Sequence, residues 1–162
     1  MSISYEQIQA FVYREARLLD DRQWEEWLEC YHKDVVFWMP CWDDDDTLVK
    51  DPMSEVSLVY YPNREGLEDR VYRIKTERSG ASTPEPRTTH QITNLEVLER
   101  DAESIKIRFN WHTLSHRYKQ TDSYFGASFY TLDITGGQPL IKEKVVQLNN
   151  DYIHQVIDVY YI

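Results

Sequence analysis

The sequence predicts an α+β fold in which N-terminal helices pack on one curved, mostly antiparallel sheet. Apolar residues recur at three- and four-residue spacing up to about residue 31 and again over 63–76, which is the period of amphipathic helices. From Arg87 onward they recur at every second position instead, the period of half-buried strands. Helices first and an antiparallel meander later is the α+β order.

Ser4 and Gln7 form a capping-box pattern ahead of Ile8, Phe11, Val12, Glu15, Leu18 and Leu19, so a first helix is expected from Tyr5 to Leu19. Asp20 and Asp21 can cap a second helix whose Trp24, Trp27, Leu28 and Tyr31 repeat with helical spacing. "DVVFWMP", closed by Pro40, and "EVSLVYY" read as strands. Asn63 then caps a third helix with Leu67, Val71 and Ile74 on one face and an Asp69–Arg73 pair at four-residue spacing, ending near Thr76. "RSGASTPEP" has the Ser, Gly and Pro content of a loop.

The strands that follow are "TTHQITNLEVL", "ESIKIRFNWHTLSHRYK", "SYFGASFYTLDI" and "LIKEKVVQL", with "RDAE" joining the first two and the glycines of "TGGQP" turning the last hairpin. The final "DYIHQVIDVYYI" fits either period, since Ile153, Val156, Ile157 and Tyr160 would line a helix equally well.

His112 and His116 raise the question of a metal site. Four residues span roughly 6 Å along a helix but roughly 13 Å along a strand. The alternation from Ile105 to Ser115 makes this a strand, so the two rings cannot share an ion and are expected to hydrogen-bond across the sheet or to a partner chain.

At 162 residues the chain has the length of one domain, 1–162, large enough for a single core. Its net charge of -10, from 28 acidic and 18 basic residues, opposes binding to phosphate backbones, so no nucleic-acid partner is expected. Asp43 to Asp46 read as a solvated loop, because they lack the spaced ligands and turn glycine of a calcium loop. No leader-like start and no long apolar run are present, so a soluble, cytoplasmic protein with no membrane partner is expected. Cys30 and Cys41 stand outside any CxxC and are expected to be reduced and packed. Nucleotide-binding and nucleophile-elbow motifs are missing. Twelve Tyr and five Trp suit contacts between subunits.

"LLDDRQWEEWLECY", "DVVFWMP", "EVSLVYYPNREGLEDRVYRIKTERS", "RTTHQITNLEVL" and "FNWHTLSHRY", in that order, make the chain resemble the small (beta) subunits of aromatic-ring-hydroxylating, Rieske-type dioxygenases, in the benzoate, toluate and anthranilate branch. "YYPNREGLEDRV" and "FNWHTLSHRYK" carry most of that resemblance. It implies a cone-shaped, ketosteroid-isomerase-like fold and a hexamer of three large and three small subunits. It also implies that the Rieske 2Fe-2S cluster and a mononuclear iron(II) lie in the large (alpha) subunit, that NADH acts through a separate reductase, and that the complex cis-dihydroxylates benzoate or a close aromatic carboxylate. The small subunit then carries no cofactor, metal or catalytic residue, and organises the large one.

Under that reading Tyr60, Tyr61, Asn63 and Arg64, at a strand-to-helix junction, are candidate subunit contacts, with local turn and cap duty as their alternative. Tyr160 and Tyr161 are a second group, with packing inside the domain as theirs. The competing reading is a self-standing cone-fold isomerase or dehydratase, in which Asp34, His90 and Tyr31, with His112, would move a proton next to a carbonyl and stabilise the enolate. A third is a module that holds an aromatic acid in the cone.

Overall fold

The computed structural model describes residues 2–43, 45–76, 84–150 and 157–162. Helix α1 spans Tyr5–Asp20, and both halves of its capping box form: Gln7 N–H donates to Ser4 Oγ at 3.2 Å and Ser4 N–H to Gln7 Oε1 at 2.8 Å. Its buried stripe is Ile8, Val12, Ala16 and Leu19, with Glu15 inside the same stripe.

Helix α2 is shorter than the aromatic spacing suggests. It covers Trp24–Leu28 with Gln23 at its N-cap and no side-chain cap bond. Asp20 does not cap it, because its carboxylate is already bound to Thr88 and His90. Tyr31, expected on the helical face, instead opens strand β1 (Tyr31–Pro40). There Ile141 N–H donates to Cys30 O at 2.8 Å and Tyr31 pairs with Ile141, so strand pairing overrides helical spacing.

Strand β2 (Ser57–Tyr61) leads to α3 (Arg64–Lys75), capped by Asn63, whose side chain accepts from Glu65 N–H at 2.9 Å. Asp69 and Arg73 form the expected pair at 3.0 Å. Four further strands follow: β3 (Arg87–Arg100), β4 (Ser104–Arg117), β5 (Gln120–Asp133) and β6 (Leu140–Leu148). The curved sheet has the order β2-β1-β6-β5-β4-β3, with β1 and β6 parallel and the other pairs antiparallel.

In β4, Ile105, Ile107, Phe109, Trp111, Thr113 and Ser115 all point into the core, as the alternation predicts. Residues 151–156 lie outside the described set, and with them Ile153 and Val156, so the tail's helical reading is testable only past them. There Val159–Tyr161 form one 3-10 turn that Asp158 caps, and Val159 to Ile162 are buried in the core. Asp43, Asp45 and Asp46 are exposed, and the Asp45 side chain accepts from its neighbour Thr47.

Candidate functional site

The cone interior is the first place to look for chemistry. Glu15 sits there on the apolar stripe of α1 because helical spacing puts it between Val12 and Leu19. Its Oε1 accepts from Tyr31 OH at 2.6 Å, Trp27 Nε1 at 3.0 Å and Lys144 Nζ at 3.3 Å, and its Oε2 from Tyr130 OH at 3.0 Å. Lys144, equally buried on β6, also reaches the Ile162 main-chain oxygen at 3.3 Å and lies 5.0 Å from the Phe37 ring centroid.

Burial pushes the Glu15 carboxyl up, but Lys144 and the three side-chain donors outweigh it and hold its pKa below the ordinary value. Burial, with Glu15 beside them, drives both tyrosine phenols well above their usual range. Four donors on one carboxylate fit its acceptor capacity. The arrangement therefore ties α1, β1, β5 and β6 together and offers no free basic oxygen to a substrate.

The three residues of the isomerase reading do not converge. Tyr31 is committed to Glu15. Asp34, three residues along the same strand, points outward with 69% of its side chain exposed. His90 is inside, its Nδ1 2.6 Å from Asp20 Oδ1, while Thr88 Oγ1 and His90 N–H also donate to Asp20 at 2.9 Å. Burial raises the Asp20 carboxyl, but these His90 and Thr88 contacts bring it below its ordinary value. His90 Nε2, with Trp111 Nε1 and Thr113 Oγ1 on the neighbouring strand, is buried without a hydrogen-bond partner among the described residues.

His112 and His116 point to the opposite, polar face, as expected. His112 Nε2 meets Ser123 Oγ at 2.5 Å and His116 Nδ1 meets Thr121 Oγ1 at 2.8 Å, both across the β4–β5 ladder. Among the described residues, no group of three or more His, Cys, Asp and Glu side chains is placed to hold a metal ion. Cys30 is buried and Cys41 half-buried, both as free thiols, and burial pushes the Cys30 thiol up to about 12. No described helix is long and apolar enough to cross a membrane.

The contact candidates divide by environment. Asn63 caps α3, and Arg64 donates to Tyr31 O at 3.2 Å and to Glu68 at 2.9 Å. Tyr61 leans on Phe37 with ring centroids 6.1 Å apart. Tyr160 and Tyr161 are buried within the chain itself, where Tyr161 packs 4.8 Å from Tyr124. Tyr60 stands with Trp38 on the face of the sheet away from the core, its hydroxyl 3.8 Å from Met53 Sδ.

Sequence reasoning passed over Glu15, Tyr130 and Lys144. A signal was present, since a carboxylate on the apolar stripe of one helix implies a buried partner; the partner lies 129 residues away.

Comparison with known proteins places this geometry. The family model for the ring hydroxylating beta subunit matches residues 14–155. The chain is 64% identical over 159 residues to the 2-halobenzoate 1,2-dioxygenase small subunit of Burkholderia cepacia, covering 98% of this chain and 96% of that one. It is 59% identical over 162 residues to the toluate 1,2-dioxygenase subunit beta of Pseudomonas putida, covering 100% of both. The crystal structure of the beta subunit of the benzoate 1,2-dioxygenase from Burkholderia mallei superposes with a TM-score of 0.85 at 54% identity, covering 100% of this chain and 99% of that one.

Proposed function

The chain belongs to the ring-hydroxylating beta subunit family, and from that premise we propose that it organises and stabilises the large subunit of a dioxygenase that cis-dihydroxylates benzoate or a close aromatic carboxylate. It is the non-catalytic small subunit of a ring-hydroxylating dioxygenase. The observation that carries the reading is the 64% identity, over nearly the whole of both chains, to a small subunit of this kind. The saturated Glu15 carboxylate and the outward Asp34 support it from the geometry.

The substrate class rests on the relatives' names, which share a benzene ring bearing a carboxylate. The Rieske cluster and the mononuclear iron(II) belong to the large subunit. Two separated cysteines and the described histidines of this chain do not form the cysteine–histidine set that such a cluster needs. A separate reductase passes electrons from NADH to the complex, which is a cytoplasmic hexamer of three large and three small subunits, each small subunit being one cone-fold domain over 1–162. Tyr60, Tyr61, Asn63 and Arg64 lie at the contact, Tyr60 through its ring and the others by shaping the β2–α3 junction, while Tyr160 and Tyr161 brace the wall behind it.

The test is the native mass and the iron and labile sulfide content of whatever accompanies the chain when it is isolated gently from cells that make it. A larger partner in equal copy number with both is the expected result. An iron-free homo-oligomer would overturn the reading.

A further inference from the structure

Among the described residues, the core and the helices lie on one face of the sheet, where Ile105, Ile107, Phe109 and Trp111 of β4 are buried. The opposite face of an antiparallel sheet covered on one side is ordinarily polar. Here one row of that face is not. Pairing runs from Arg108 to Phe129, Val145, Trp38 and Tyr60 across β4, β5, β6, β1 and β2. Four of these five are aromatic or aliphatic, and all are half-exposed. The Met53 contact with Tyr60 extends the row past the last strand with a side chain that is 80% exposed.

A groove of about 490 Å³ opens beside the row. Phe125, 47% exposed, and Phe129 are two of its walls, and Ala127 lies between them on the same strand. The Arg108 guanidinium sits 5.2 Å from the Phe129 ring centroid. The two rings stand among Asn110, His112, Gln147 and Asn149, so the depression suits an inserted side chain with an apolar body and a hydrogen-bonding end, a usual form of interface anchor.

We infer that this aromatic row and its groove are the docking surface for the large subunit; the inference rests on the function proposed above. Two observations select that occupant. The row crosses five of the six strands, about 19 Å at the usual strand spacing, so with the long strands on either side it offers on the order of 800 Å², the area one partner gives to a stable interface. Carboxylates also flank it on both sides: Asp34, Asp101, Glu103, Asp133 and Glu143 outnumber Lys106 and Lys142 around one depression, and Asp43, Asp45 and Asp46 lie just past the other end of β1. A second copy, also at -10, would bring acidic surface against this acidic rim, which costs affinity. A different chain with an apolar centre and a basic rim is the matching partner.

The chain is co-produced with its large subunit as the parent, as Phe125→Asp, as Ala127→Arg, and as Tyr13→Asp, a control on α1 with the same 47% exposure as Phe125. Association is measured by native mass across a dilution series, and each small subunit alone is melted to check folding. The expected result is that Phe125→Asp and Ala127→Arg weaken association with the large subunit at least tenfold, that Tyr13→Asp does not, and that Phe125→Asp alone melts like the parent. If Ala127→Arg misfolds, Phe125→Asp carries the test. Association of Phe125→Asp within twofold of the parent would overturn the inference. So would loss only of self-association, which would assign the face to a second copy. A parent chain that holds no large subunit at all would instead overturn the functional reading on which the inference stands.

Discussion

Lys144 Nζ lies 3.3 Å from Glu15 Oε1, with both side chains almost wholly buried, so the last strand of the sheet is joined to the first helix through the interior. Removing one partner leaves an uncompensated buried charge, so Lys144→Met or Glu15→Leu alone should cost about 3–5 kcal/mol. Replacing both with apolar residues removes the charge as well, so Glu15→Leu with Lys144→Met should cost clearly less than the sum of the single changes. Urea unfolding of the four chains measures this, and strict additivity would show that the two groups do not interact.

The same carboxylate predicts an acid limb. Glu15 and Asp20 both have depressed folded pKa values, from ordinary values of 4.5 and 3.8. A group of this sign stabilises the fold fully above its unfolded pKa and loses that contribution as pH falls through the folded value. Melting temperature should therefore drop as pH falls below about 4.5, and the drop should be smaller in Glu15→Gln. Burial depresses the Lys144 pKa as well, and the Glu15 carboxylate beside it opposes that shift.

Gly126 is required by close approach rather than by its backbone angles. A Cβ there would lie 1.8 Å from the Gln147 main-chain oxygen on β6, and β5 cannot move away without breaking its pairing with Leu148. Gly126→Ala should destabilise by about 2–3 kcal/mol, the upper range of overpacking, seen as a lower urea midpoint at unchanged slope. An unchanged midpoint for Gly126→Ala would mean that the two strands can part at no cost.

The β4–β5 hairpin turns on Tyr118 and Lys119, both at positive φ, 53° and 63°. This mirror-image turn favours Asn-Gly, and Lys119→Gly should stabilise by up to about 1 kcal/mol by relieving the left-handed backbone. A fall in melting temperature would show that the Lys119 side chain contributes more than its backbone strain costs.

That hairpin also shows what the sequence withheld. The capping box of α1 and the alternation of β4 were legible because the residues responsible are neighbours in the chain, as were the cross-strand roles of His112 and His116. Tyr118-Lys119 carries no glycine or asparagine to announce a turn, so the alternation carries the expected strand from Glu103 on to Lys119. The parallel pairing of β1 with β6 took Tyr31 out of the helix that its spacing implied. The outward position of Asp34 and the commitment of Tyr31 depend on contacts between distant segments. Local spacing cannot show whether side chains so far apart converge.

The sharpest separation of subunit from enzyme comes from His90 and Asp34 in the assembled complex. Asp34 is exposed, so Asp34→Ala should change stability by less than about 0.5 kcal/mol. His90→Ala removes a donor from Asp20 but leaves those of Thr88 and the main chain, so it should cost about 1–3 kcal/mol, the penalty for an under-satisfied buried group. Neither side chain touches a reacting group under the proposed function. Turnover per iron and the identity of the diol product should therefore match the parent for both variants once assembly is equalised by native mass. If His90→Ala lowers turnover per iron in fully assembled complex, with iron content unchanged, the histidine that Asp20 orients does more than hold β3 to α1, and the cone interior would take part in the chemistry.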